Sequence, residues 1–105
     1  MTTSDIALRH HGLGLGDEDM VRMYRVMLAA RRMDDRMWAL QRQGRAAFVV
    51  GSSGHEAIQV ASVFALDKDK DWVLPYYRDM GVGLAWGFTP LEIFLGVFAK
   101  RDDPM

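Results

Sequence analysis

The chain has 105 residues, half of them hydrophobic, a formal net charge of −1 and no cysteine. That length sustains at most one small domain with a modest core. The composition excludes an acidic disordered tail, a basic nucleic-acid binder by bulk charge, a disulfide scaffold and a thiolate metal site.

Residues 1–16, MTTSDIALRHHGLGLG, read as a flexible lead-in, with His10 and His11 as surface residues. They lack the apolar core of a signal peptide. Asp17 reads as a helix cap, and Glu18 and Asp19 place negative charge in the first turn, where the helix dipole favours it. Met20, Met23, Tyr24, Met27, Ala30, Met37 and Leu40 then recur at spacings near three and four, with Met33 and Trp38 beside them. The pattern predicts an amphipathic helix ending near Gln43, with Gly44 as its stop. About 26 residues at 1.5 Å each make it roughly 39 Å long, more than so small a domain usually needs.

That helix carries Arg22, Arg25, Arg31, Arg32, Arg36 and Arg42. They suggest either a nucleic-acid arm or a solvated face interleaved with Asp34 and Asp35. The near-zero net charge and the lack of a helix-turn-helix signature favour the solvated face, so no nucleic-acid partner is expected. The methionines are read as adaptable core filler.

Ala46 to Val50, AAFVV, reads as a short apolar strand. Ser53 and Glu56 match a capping box and predict a helix from Gly54 to about Leu66. Beyond its first turn only Gln59 and Ser62 interrupt an apolar surface, so this helix expects protein on every side. His55 and Glu56 invite a metal or acid–base role. Against it, adjacent helical residues point in different directions, and the cap already accounts for Glu56. DKDKD, Asp67 to Asp71, is a surface turn, and Trp72-Val73-Leu74 begin a second short strand that Pro75 interrupts. After Arg78 a second apolar helix is predicted, closed by Gly87. Thr89, Pro90 and Glu92 then form a helix start with a complete capping box.

These elements make an α/β chain, mostly helical with two or three short strands. Two of its helices are apolar nearly all round, and so few elements cannot bury one another that completely. The chain is therefore expected to be incomplete as a domain, or to pack against a partner over a broad apolar area. No run approaches the roughly 18 apolar residues of a membrane span, and a cytoplasmic location is expected.

GHEAIQVASVFAL, DWVLPYYRDMGVGLAWG and TPLEIFLGVFAKRDDP, in this order and spacing, resemble the alpha subunit of thiamin-diphosphate-dependent 2-oxo-acid dehydrogenases, the branched-chain type above the pyruvate type. The resemblance runs from about Asp19 to the last residue. It implies that residues 17–105 are the amino-terminal portion of that subunit's cofactor-binding fold, truncated before its magnesium motif. It also implies that Tyr77 and Arg78 reach the cofactor diphosphate, a role their chemistry suits. A guanidinium offers a planar fork to two oxygens at once, and a phenol adds a neutral donor. On residue type alone, Arg78 is equally a surface cation paired with Asp79 or another acid.

Phe48 resembles the aromatic lining the substrate side-chain pocket, and is otherwise a plain core phenylalanine. Tyr76 falls beside the same pocket. The family's magnesium ligands and catalytic groups have no counterpart here, so no catalytic or metal residue is expected within the chain. The resemblance further implies magnesium as co-ligand, a 2-oxo acid substrate, a beta subunit in an alpha-2 beta-2 heterotetramer, and a lipoyl-bearing acyltransferase that receives the acyl group. The chain is expected to be inactive alone. The alternative is a non-catalytic helical interaction module derived from that subunit, forming oligomers or binding the full-length subunit.

Overall fold

A computed structural model describes residues 9–104. The first eight residues of the expected lead-in lie outside them. Arg9–Leu13 form a 3-10 helix, followed by α1 (Asp17–Arg42), α2 (Glu56–Phe64), α3 (Met80–Trp86) and α4 (Pro90–Val97).

The local signals place three helices well. α1 runs its full 26 residues and stops where Gly44 takes a left-handed conformation, φ +73, that only glycine adopts freely. Its cap is Gly16 and not Asp17: the Asp19 carboxylate accepts the Gly16 N–H at 2.9 Å, and Asp17 is the first helical residue. α3 begins two residues after Arg78 and ends at Gly87. In α4 the Thr89 hydroxyl accepts the Glu92 N–H at 3.2 Å while the Glu92 carboxylate accepts the Thr89 N–H at 3.0 Å, completing the predicted capping box.

α2 departs from expectation. It starts at Glu56 with His55 as its cap, and the Ser53 hydroxyl makes no capping bond. The Glu56 carboxylate is drawn instead to Arg31 of α1. The inward face of α2 is also more polar than its pattern suggests. Glu56 and Gln59 are buried beside Val60 and Val63, while Ile58 stays two-thirds exposed.

The expected α/β character is not met: the described residues are helical and contain no strand. A strand exists through its ladder to a neighbour, and an isolated one is not stable in water. Residues 46–50 and 72–74 find no neighbouring strand among the described residues and run as irregular chain. Their apolar composition suits burial, but Phe48, Trp72 and Leu74 stand 77, 91 and 94% exposed.

The core is small. Met33 and Met37 of α1 meet Ile93 of α4, with Met80, Leu84, Phe88 and Val97 partly buried around them. α2 and α3 lie against each other and against α1. The radius of gyration is 15.7 Å, against about 13 Å for a compact domain of this length, and the molecule measures 48 × 32 × 19 Å. A thin, elongated body with several large apolar side chains in water seeks further cover. In size-exclusion chromatography with light scattering, the chain alone is expected to run above its monomer mass. A sharp monomer peak would contradict that.

Candidate functional site

The loop from Lys68 to Asp79 leads into α3 and carries the Tyr76-Tyr77-Arg78 cluster. Its last turn is closed by Asp79, whose carboxylate accepts the Tyr76 N–H at 2.7 Å. Asp79 is thus occupied by backbone, and no ion pair engages Arg78 among the described residues. The Arg78 guanidinium stands over the Tyr77 ring, 5.4 Å from its centroid, and donates through Nη1 to the Gly51 carbonyl at 3.0 Å. The Tyr76 and Tyr77 rings lie 4.1 Å apart. The side chain is exposed, so its remaining N–H groups face solvent.

The acceptor loop is itself held from below. Asp34, buried at 2% exposure in α1, accepts the Ser52 N–H at 3.0 Å. Gly51 passes so close to α1 that a Cβ there would sit 2.8 Å from Trp38 Nε1 and 3.2 Å from Asp34 Oδ1. A chain of contacts therefore runs from α1 through Asp34 and the Gly51–Ser52 turn to the guanidinium.

Phe48, Tyr76 and Tyr77 line one cavity of about 650 Å³, together with Met37, Met80 and Ile93. Two residues expected at a substrate pocket and one expected at a diphosphate thus share a cleft. Arg78 stands next to Tyr77, turned towards Gly51.

Glu56 has a structural partnership. Arg31 donates to both of its oxygens, at 2.5 and 3.2 Å, and the Gly54 N–H donates to Oε2 at 2.8 Å. The Arg31 hydrogen bond, reinforced by the Gly54 N–H, holds this carboxyl down from the usual 4.5 to about 2. Since the folded group titrates below the unfolded one, its contribution to stability is complete above about 4.5 and is lost as pH falls towards 2. Urea unfolding should show stability falling across that window, and Glu56→Gln should flatten the fall. An unchanged slope in the variant would show that other carboxylates carry it.

His10, His11 and Asp17 form the one cluster of potential metal ligands among the described residues. Both imidazoles meet the same Asp17 oxygen, at 2.6 and 3.1 Å, and lower its carboxyl from its ordinary value. Asp17 is fully open to solvent and satisfied by these contacts, so the cluster is a hydrogen-bonded closure of the 3-10 turn onto α1. Asp34 and Gln59 escaped the sequence reading, which treats polar side chains as surface. For Gln59 one signal was available: a lone amide within an apolar helix.

Together these features are a helical support presenting an exposed cation and two tilted, touching phenol rings at the edge of an apolar cleft. The family model for the dehydrogenase E1 component matches residues 24–105, and the chain belongs to that family. It is 54% identical over 96 residues to the 2-oxoisovalerate dehydrogenase subunit alpha of Bacillus subtilis, covering 91% of this chain and 29% of the relative. It is 46% identical over 83 residues to the mitochondrial 2-oxoisovalerate dehydrogenase subunit alpha 1 of Arabidopsis thaliana, covering 79% of this chain and 17% of that protein. With the pyruvate dehydrogenase E1 component subunit alpha of Staphylococcus aureus the identity is 41% over 81 residues, 77% of this chain and 22% of the relative. The chain thus spans less than a third of the length of these relatives. No solved structure matches it. No helix among the described residues is long and apolar enough to cross a membrane.

Proposed function

We propose that this chain supplies one wall of the thiamin diphosphate site in the decarboxylating component of a 2-oxo-acid dehydrogenase, with a branched-chain 2-oxo acid as substrate. The observation that carries this reading is the Tyr77–Arg78 pair. An exposed guanidinium, steadied by one carbonyl and one aromatic ring, keeps donors directed outward at the edge of an apolar cleft.

The residues present fit part of the cofactor. Arg78 and Tyr77 suit the diphosphate, because a guanidinium engages two phosphoryl oxygens and a phenol adds a neutral donor. Phe48 and Tyr76 suit an aliphatic substrate side chain, since they open an apolar cavity beside that pair. No carboxylate cluster accompanies Arg78 among the described residues, and Asp79 is already engaged, so magnesium requires ligands from elsewhere. When bound, the cofactor would supply the electron-sink chemistry that decarboxylation needs, and the protein would contribute binding and orientation. In this chain those contributions are an anion grip at Arg78 and an apolar wall at Phe48 and Tyr76.

The remaining groups come from outside these residues. We place this polypeptide in an alpha-2 beta-2 assembly in the cytoplasm, with the cofactor between alpha and beta and a lipoyl-bearing acyltransferase receiving the acyl group. The exposed Trp72 and Leu74 support a role within a larger body. Titration of magnesium and thiamin diphosphate into the chain, alone and then with a beta subunit, tests the proposal. Weak binding alone that tightens with the beta subunit is expected. Equal absence of binding in both arms would overturn it, and oligomer formation in that case would favour an interaction module.

A further inference from the structure

Gln59 of α2 is 5% exposed and uses both ends of its carboxamide on the segment that carries Arg78. Its Nε2 donates to the Arg78 carbonyl at 2.7 Å, and its Oε1 accepts the Gly81 N–H at 3.1 Å. Nε2 also lies 3.4 Å from Asp79 Oδ1. The orientation is forced, since reversing the amide would set donor against donor and acceptor against acceptor.

Gly81 lies in the first turn of α3, where a backbone N–H has no intrahelical acceptor. Asp79, at the cap position, makes no side-chain capping bond, because it folds back onto Tyr76. The cap of α3 therefore comes from another helix. Its approach is close: a Cβ at Gly81 would sit 2.5 Å from Gln59 Oε1 and 3.1 Å from Gln59 Cβ. One buried amide thus joins the residue bearing the guanidinium to the helix that follows it.

We infer that Gln59 is a positioning residue for the diphosphate site, clamping the Arg78 carbonyl and the α3 amino terminus so that the Arg78 side chain is presented in one direction. This rests on the reading that Arg78 grips the diphosphate. Without the clamp, the junction between loop and helix keeps its chain path but loses both fixed points. The guanidinium then samples several directions and binds an anion less well. Gln59 touches no ligand and acts only through Arg78.

The test is a double-mutant cycle on the full chain with a beta subunit present, read by NMR titration with magnesium thiamin diphosphate and by hydrogen exchange at the Gly81 amide. Gln59→Met, which keeps the side-chain volume but removes both the donor to the Arg78 carbonyl and the acceptor of the Gly81 N–H, should speed Gly81 exchange and weaken binding about tenfold. In an Arg78→Ala background the same change should alter affinity by less than roughly twofold, because the group it positions is gone. Gly81→Ala, which displaces Oε1 while favouring helix, gives a second route to the same loss should Gln59→Met unfold the chain. Equal weakening by Gln59→Met in both backgrounds would overturn the inference, as would unchanged Gly81 exchange. If wild-type Arg78 and Tyr77 resonances ignore the cofactor, or if Arg78→Ala alone leaves affinity untouched, the parent reading fails and the positioning role with it.

Discussion

Replacing Arg78 with alanine is expected to weaken thiamin diphosphate binding roughly ten- to hundredfold and to leave the fold unchanged. The size follows from the chemistry. A hydrogen bond to a charged group is worth about 1.5–3 kcal/mol, and each 1.4 kcal/mol is about a tenfold change in affinity. The fold should survive because the side chain is exposed and its one hydrogen bond among the described residues, to the Gly51 carbonyl, lies at the surface. Arg78→Lys should recover only part of the loss, since an ammonium is a point charge and cannot present a fork. Calorimetric titration with the beta subunit present measures both, and circular dichroism checks the fold. Full affinity in Arg78→Ala would remove the guanidinium from the cofactor site.

Ile93→Ala should be the most damaging core change, costing about 2–4 kcal/mol. Ile93 is the one buried residue of α4, 8% exposed, and it meets Met33 and Met37 of α1. Truncation loses the apolar burial and opens a cavity that α4, tied to the rest by so few buried groups, cannot refill. Ile93→Val removes one methylene and should cost about 1 kcal/mol. Urea midpoints for the two variants give the comparison. A loss below about 1 kcal/mol for Ile93→Ala would mean that α4 does not pack on α1 as described.

How much of this was legible beforehand depended on how local the controlling interaction is. The Thr89–Glu92 capping box spans four residues, and it formed as read. α1 was equally legible, because its apolar face repeats along one helix and Gly44 ends it. Ser53 and Glu56 match the same capping pattern and failed, since Arg31, 25 residues earlier, takes the carboxylate. A pattern match does not register a distant competitor. The two segments read as strands have strand composition without a strand partner, and pairing is a property of two segments.

The candidate site divides along the same line. Phe48, Tyr76, Tyr77 and Arg78 are singled out by motif resemblance, and the fold brings the three aromatics to one cavity with Arg78 adjacent. The supports beneath them were not. Asp34 reaches Ser52 and Gln59 reaches Arg78 and Gly81 across long stretches of chain, and a buried polar side chain looks like a surface one until its partners are placed.

A crystal structure of this chain with a beta subunit, magnesium and thiamin diphosphate tests the central claim most directly. The Arg78 guanidinium and Tyr77 hydroxyl should lie within hydrogen-bonding distance of the diphosphate oxygens, with Gln59 still bridging Arg78 and Gly81. A cofactor bound elsewhere, with Arg78 and Tyr77 turned into solvent, would contradict it.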